Sequence, residues 1–253
     1  MTALAVIGER ERTFFGQLRA LYQRELRDSE NLDYIRNHAE GSSISRQIEV
    51  FERYLPYVAD CCRILDWGCH HAPDSCLLRM ALGDSVSLHG CDVFQADRFA
   101  HFHDFAGLEF RQLNHVVQLP YGDGSFDAVV GSGVLEHAAM DFESLKELHR
   151  VLVDGGRLVI TFLPNACSYT EFFARSRGLE AHNRLYGRRE ALRMLRHHGF
   201  KPLHAAYHQF LPAHRMQSLL GRFWPLNRTL ERVWPLRLLC ANLMVVAEKR
   251  SIM

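Results

Sequence analysis

The chain has 253 residues, 47% of them hydrophobic and 23% charged. That balance is ordinary for a globular protein, and the length is enough to bury a core without covalent staples. Thirty Lys and Arg against 29 Asp and Glu leave a formal net charge of +1, so there is no global pull toward nucleic acid. The seven cysteines form no paired C-x-x-C quartet, and we read them as reduced thiols. The N-terminal stretch MTALAVIGERERTFFG lacks the cationic start and long apolar core of a signal peptide. No run reaches the ~20 apolar residues of a spanning helix. A cytoplasmic protein is the expectation.

In chain order, residues 9–27 repeat apolar side chains at helical spacing (Phe14, Leu18, Leu21, Tyr22, Leu26). Gly41-Ser42-Ser43 reads as a turn, and residues 45–60 as a second amphipathic helix with Ser45 as its cap. From here short apolar runs alternate with helical segments. The strand candidates are 63–67 (RILDW), 86–92, 108–113, 126–132 and 156–162, with helices expected over 74–82 and 142–152. Such alternation predicts βαβ units and a parallel sheet buried on both faces. Asp154-Gly155-Gly156 is placed as the C-cap of the helix before the last of these strands. Residues 187–200 read as a helix ending at Gly199, and 203–211 and 242–249 as two further strands. Between these strands lies an insert, 212–241, with Trp-Pro-Leu twice. No Gly/Ser linker divides the chain. We expect one domain over 1–253: a helical cap (1–60), a cofactor-binding core (61–165) and substrate-side elements (166–253).

The first strand ends in LDWGCHHAPDS (65–75). Gly68 lets the chain turn with no side chain in the way, and the helix beginning near Pro73 offers free amides to a carboxylate. The second strand ends at Asp92, where in open α/β sheets an acid can accept hydrogen bonds from both hydroxyls of a ribose. A nicotinamide dehydrogenase shares that acid, but its G-x-G-x-x-G loop is absent, since only Gly68 stands here.

Residues 119–137 (LPYGDGSFDAVVGSGVLEH) and 145–165 (LKELHRVLVDGGRLVITFLPN) carry the specific signal. With the Asp-x-Gly turn and Asp92 they resemble, over residues 60–165, the class I S-adenosylmethionine (SAM)-dependent methyltransferases of the ubiquinone/menaquinone type. The resemblance implies a doubly wound, mostly parallel seven-stranded Rossmann-like sheet closed by an antiparallel hairpin, with SAM as cofactor. It places Asp66, Gly68, Cys69 and His70 beside the amino-acid end of SAM and Asp92 on the ribose. Val93 or Phe94 would pack on adenine, Asn114 or His115 would face the adenine amine, and Ser132 and Gly133 would line the floor under the sulfonium. Glu136 and His137 would stand near the methyl-transfer face, and His137 is the first candidate for a catalytic base. The sequence departs from the family pattern where His70 and Ala72 replace glycines and Asp154 replaces a proline. His70 either binds the SAM carboxylate or crowds the site.

Methyl transfer to a hydroxyl needs a proton acceptor, and histidine is the natural one at neutral pH. His182 and His208 are weaker candidates than His137; each could equally cap a helix or satisfy a carbonyl. Cys69, His70, His71 and Cys76 do not make a metal site, because adjacent histidines rarely point at one ion. Tyr22, Tyr34 and His38 in the cap either cover the pocket or pack the cap onto the sheet. The insert carries Arg215, Arg222, Arg228, Arg232 and Arg237 with Phe223, Trp224 and Trp234, against a single acid, Glu231. That pattern suits a membrane surface, a dimer interface or a solvated lid. The expected function is methylation, most naturally O-methylation, of a small-molecule or saccharide/lipid-linked acceptor. The alternative is a methyltransferase-like binding module whose cofactor loop is compromised by His70 and whose insert engages a membrane or partner protein.

Overall fold

The computed structural model describes residues 9–28, 32–95, 99–115, 117–179, 182, 184–211 and 226–250. Helices α1 (Glu9–Asp28), α2 (Leu32–His38) and α3 (Gly41–Tyr54) precede strand β1 (Arg63–Trp67). Then follow α4 (Pro73–Leu82), β2 (Ser87–Asp92), α5 (Ala100–Ala106), β3 (Glu109–Gln112) and β4 (Phe126–Ser132). The second half holds α6 (Asp141–Val151), β5 (Leu152–Pro164), α7 (Tyr169–Ser176), α8 (Arg188–His197), β6 (Phe200–His208) and β7 (Asn242–Lys249).

The seven strands form one sheet in the order β3-β2-β1-β4-β5-β7-β6. The first five are parallel, and β7 runs antiparallel between β5 and β6. Alternate residues of the central strands feed two different cores, as the period of two along a strand requires. Ile64, Val130, Val159 and Val246 pack with α1, α3, α4 and α5 on one face. Their neighbours Leu65, Val129, Ile160 and Val245 pack with α6 and α8 on the other. That double burial is why these strands read as near-continuous apolar runs.

Several boundaries differ from the sequence expectations, each for a physical reason. Gly41-Ser42-Ser43 is the first turn of α3, not a loop, so Ser45 lies inside the helix and Glu40 is the N-cap. The same helix stops at Tyr54 because Pro56 follows, and the chain tightens into a 3-10 turn over Leu55–Tyr57. Asp154-Gly155-Gly156 is not a helix C-cap. Leu152 is already extended, and Phe126 pairs with Leu152 while Ala128 pairs with Arg157, so residues 153–156 bulge out of β5. The strand expected at 203–211 runs from Phe200 to His208 instead. Pro202 reads as a breaker, but β6 is the sheet edge, where a missing N–H costs no ladder bond. Arg215, Arg222, Phe223 and Trp224 of the insert lie outside the described residues.

Candidate functional site

The strand order reverses between β1 and β4, and ligands in open α/β sheets bind above such a point. A cavity of about 1340 Å³ opens there. Asp66, Gly68, Cys69, His70, Asp92, Val93, Ser132, Gly133 and His137 all line it. Phe94, the alternative to Val93, lines it too. Asn114 and His115 do not: β3 ends at Gln112, and it is Leu113 that reaches the cavity. His115 instead turns its Nδ1 to accept the backbone N–H groups of Val117 and Gln118, at 3.1 and 2.9 Å.

The turn after β1 brings Asp66, Gly68 and Asp92 together. The Gly68 and Cys69 N–H groups donate to the Cys91 carbonyl at 2.8 and 3.2 Å. The His70 N–H donates to Asp92 Oδ2 at 2.8 Å and the Val93 N–H to Oδ1 at 2.6 Å. The Asp92 carboxylate is thus held rigidly by backbone on both sides. Gly68 sits at φ +66°, and a Cβ there would stand 2.6 Å from Val134. His70 (φ 48°) and Ala72 (φ 53°) also take left-handed backbone. The turn therefore keeps a glycine-like path through residues that bear a Cβ, at a cost of roughly 1–2 kcal/mol each. The His70 ring leans on Tyr34, Phe99 and Phe94, with centroids at 4.2, 4.3 and 4.8 Å, and forms one wall of the cavity.

Below the turn, Ser75 Oγ donates to Asp66 Oδ2 at 2.7 Å, and Gln47 Nε2 donates to Asp74 Oδ2 at 2.7 Å. Tyr54 donates its hydroxyl to the other oxygen of Asp74. Burial, with Asp74 close by, pushes the Asp66 carboxyl well above the usual range. The cap is thereby wired to the cofactor turn: Tyr22 OH also lies 2.7 Å from His71 Nε2.

Glu136 and His182, both named from the sequence, line the cavity, and two residues that the sequence did not single out, Arg46 and Glu171, join them. Arg46 of α3 lines it with a buried Nε that has no hydrogen-bond partner. Its local sequence, Ile44-Ser45-Arg46-Gln47-Ile48, offers one weak signal: a cation flanked by buried apolar residues. Glu136 lines the cavity with a buried, unpartnered Oε2, and burial pushes its carboxyl up to about 7. On the rim, His182, which is exposed, and Glu171 of α7, which is half-buried, make two contacts. Glu171 Oε1 is 2.7 Å from His182 Nδ1, and Oε2 accepts the His182 N–H at 3.2 Å. Arg175 holds the His182 carbonyl at 2.8 Å. His137 stands next to this pair, its ring 6.3 Å from that of His182, and burial holds its pKa below the ordinary value. His208 is buried in β6, does not line the cavity and is held neutral by burial, its pKa near 3. Among the described residues no cluster of three or more His, Cys, Asp or Glu is placed to hold a metal ion.

Residues 65–160 match the family model described as a methyltransferase domain. That description is broader than the ubiquinone/menaquinone-type subgroup. An arsenite methyltransferase from Aquipseudomonas alcaligenes is 30% identical over an alignment 131 residues long that covers 44% of this chain and 37% of that protein. The match thus spans little more than a third of the relative's length. Among solved structures, a protein from Haloferax volcanii in complex with the Trm112 methyltransferase activator aligns over 83% of this chain and 95% of its own. Its TM-score is 0.57 at 16% identity. A SAM-dependent methyltransferase from Aquifex aeolicus aligns over 78% of this chain and 88% of its own, with a TM-score of 0.51 and 14% identity. The [4+2]-cyclase SpnF aligns as well, with a TM-score of 0.57 at 20% identity over 81% of each chain. At these identities the structures share the fold, and that fold hosts more than one chemistry. The match of residues 65–160 to a methyltransferase domain, the strand order and the cradle at its reversal point agree on one fold, the Rossmann-like sheet of the SAM-dependent methyltransferases.

Proposed function

We propose that the protein transfers a methyl group from SAM to a hydroxyl of a small-molecule or saccharide/lipid-linked acceptor. The observation that carries the reading is the Asp92 carboxylate, clamped by two backbone amides beside an open left-handed turn. Each carboxylate oxygen keeps a second lone pair for a ribose hydroxyl. Val93 and Phe94 would pack on the adenine, and Gly68, Cys69 and His70 would border the amino-acid end. Arg46, half-buried with a buried Nε that has no hydrogen-bond partner, is suited to the cofactor's carboxylate, while Glu136 and Asp66 face its cationic side. Ser132 and Gly133 form the floor. When bound, SAM supplies an electrophilic methyl on a sulfonium; the protein's part is alignment and a dry site.

Removal of the hydroxyl proton falls to one of two rings on the cavity rim. Glu171 at Nδ1 fixes the His182 tautomer with that nitrogen protonated, which leaves the Nε2 lone pair free to accept a proton. His137, kept neutral by its surroundings, is the alternative base. An arsenical acceptor fits less well. Arsenic(III), like other soft centres, is held by thiolates. Of the seven cysteines only Cys69 lines the cavity, and burial pushes its thiol well up. Segment 212–241 is proposed to meet a membrane surface; among the described residues no helix is long and apolar enough to cross one.

Calorimetric titration with SAM, followed by transfer of labelled methyl to a panel of hydroxyl acceptors, tests the reading. SAM binding and an O-methylated product are expected. His182→Ala is expected to lower kcat by about 10²–10⁴ with unchanged SAM affinity, and His137→Ala by less. Failure to bind SAM overturns the proposal.

A further inference from the structure

A second cavity, of about 1020 Å³, lies along the outer edge of β6 and shares no lining residue with the first. Arg188, Arg189, Arg232 and Arg237 line it, and all four are exposed. Its acids are already engaged: Glu49 and Glu231 by Arg53, Glu11 by Arg228, and Glu52 by Arg10. Among the described residues none of the four arginines meets a carboxylate at ion-pair distance.

Two features of this arrangement are unfavourable without an anion. Arg188 and Arg189 occupy the first turn of α8, the positive end of a ten-residue helix, where the acid Glu190 is turned to the Gly187 N–H and meets neither arginine at ion-pair distance. Arg232 and Arg237 bring two more cations to the same cleft from a separate segment, so like charges converge in a chain with a net charge of only +1. Burial and Arg53, with Arg188, hold His204 in the cleft below its ordinary pKa. At the rim Trp234 is 65% exposed and stacks under Arg237, whose guanidinium is 5.3 Å from the ring centroid. Leu226, Val233 and Leu239 of the same segment are exposed as well. Arginines with an exposed Trp and aliphatic side chains match a headgroup boundary, where phosphates and apolar chains meet.

We infer that this groove is a binding site for phosphate groups, with the headgroups of an anionic lipid surface as their source. The site is separate from the methyl-transfer cavity and holds whether or not methyl transfer does.

The test uses the full chain and two probes. Vesicles of phosphatidylglycerol and phosphatidylcholine in equal parts, with pure phosphatidylcholine as control, are followed by flotation; pyrophosphate is titrated calorimetrically. Binding to the anionic vesicles alone, weakened by salt, is expected. Arg188→Gln with Arg189→Gln, and separately Arg232→Gln with Arg237→Gln, should each weaken it at least tenfold, and Trp234→Ala should weaken vesicle binding while leaving pyrophosphate binding intact. Pyrophosphate binding without vesicle binding keeps the site and moves the source to a soluble phosphate ester. The inference is overturned if neither probe binds, or if the arginine variants bind like the parent. SAM titration of the same variants should be unchanged, which separates this outcome from that of the methyltransferase reading.

Discussion

Both oxygens of Asp92 accept backbone N–H groups, yet each keeps a lone pair toward the cavity. Removing the carboxylate therefore takes away the ribose acceptors and frees two amides at once. Hydrogen bonds to a charged group contribute about 1.5–3 kcal/mol each. Asp92→Ala is expected to weaken SAM binding by a factor on the order of 10² in calorimetry; unaltered affinity would remove the main support for the site. Glu136 gives a pH signature. Its folded pKa is about 7 against an ordinary 4.5, so the fold favours its protonated form. That contribution is complete below the unfolded pKa and is lost as pH rises through about 7. Thermal melts of the SAM-free protein should thus fall between about pH 5 and 8. Glu136→Gln should flatten that slope and raise stability at pH 8 by on the order of 1–3 kcal/mol. A variant whose melt follows the parent's pH profile would contradict the assignment.

At the scale of elements, β5 shows how a local signal can be right in kind and misplaced in role. Gly155 and Gly156 do mark a break in regular backbone, but the break is a bulge between two stretches of strand pairing. Gly155 sits at φ +76°, and a Cβ on Gly156 would lie 2.8 Å from the Val153 carbonyl oxygen and 3.1 Å from that of Asp127. Both obstacles are backbone and neither can swing aside. Gly156→Ala should cost about 1–3 kcal/mol in urea unfolding; a loss below 0.5 kcal/mol would show that the bulge is pliable. The turn after β1 teaches the converse. His70 and Ala72 stand where the family has glycines, yet both keep left-handed backbone. The pull of the surrounding hydrogen bonds outweighs the local preference of the residues.

Over the whole molecule, the cap helices are not an appendage. Phe14, Leu18, Leu21 and Tyr22 of α1 belong to the same core as Ile64, Val130 and Val246 of the sheet. Leu18 is fully buried. Leu18→Ala should cost about 2–5 kcal/mol, and the protein should still unfold in one transition, seen by both far-ultraviolet dichroism and tryptophan fluorescence. Separate transitions would mean that cap and sheet unfold independently.

How much of this was legible depends on the range of the interaction. The central strands could be placed from composition because a sheet buried on both faces demands unbroken apolar runs, as in residues 63–67 and 126–132. The cradle could be placed because Asp66, Gly68 and Asp92 sit at strand ends whose positions follow from those runs. Asn114 and His115 missed because a strand end shifted by one residue redirects the next side chains, and only Leu113 reaches the cavity. Arg46 and Glu171, which no sequence pattern singled out, come to Glu136 and His182 from separate stretches of chain. The sequence alone determined the sheet, its Asp-x-Gly turn and the acid above β2, all set by local periodicity and backbone sterics. Tertiary structure alone decided that Arg46 and Glu171 join Glu136 and the rim imidazoles at the cavity, since side-chain direction and burial emerge only once distant helices pack on one another.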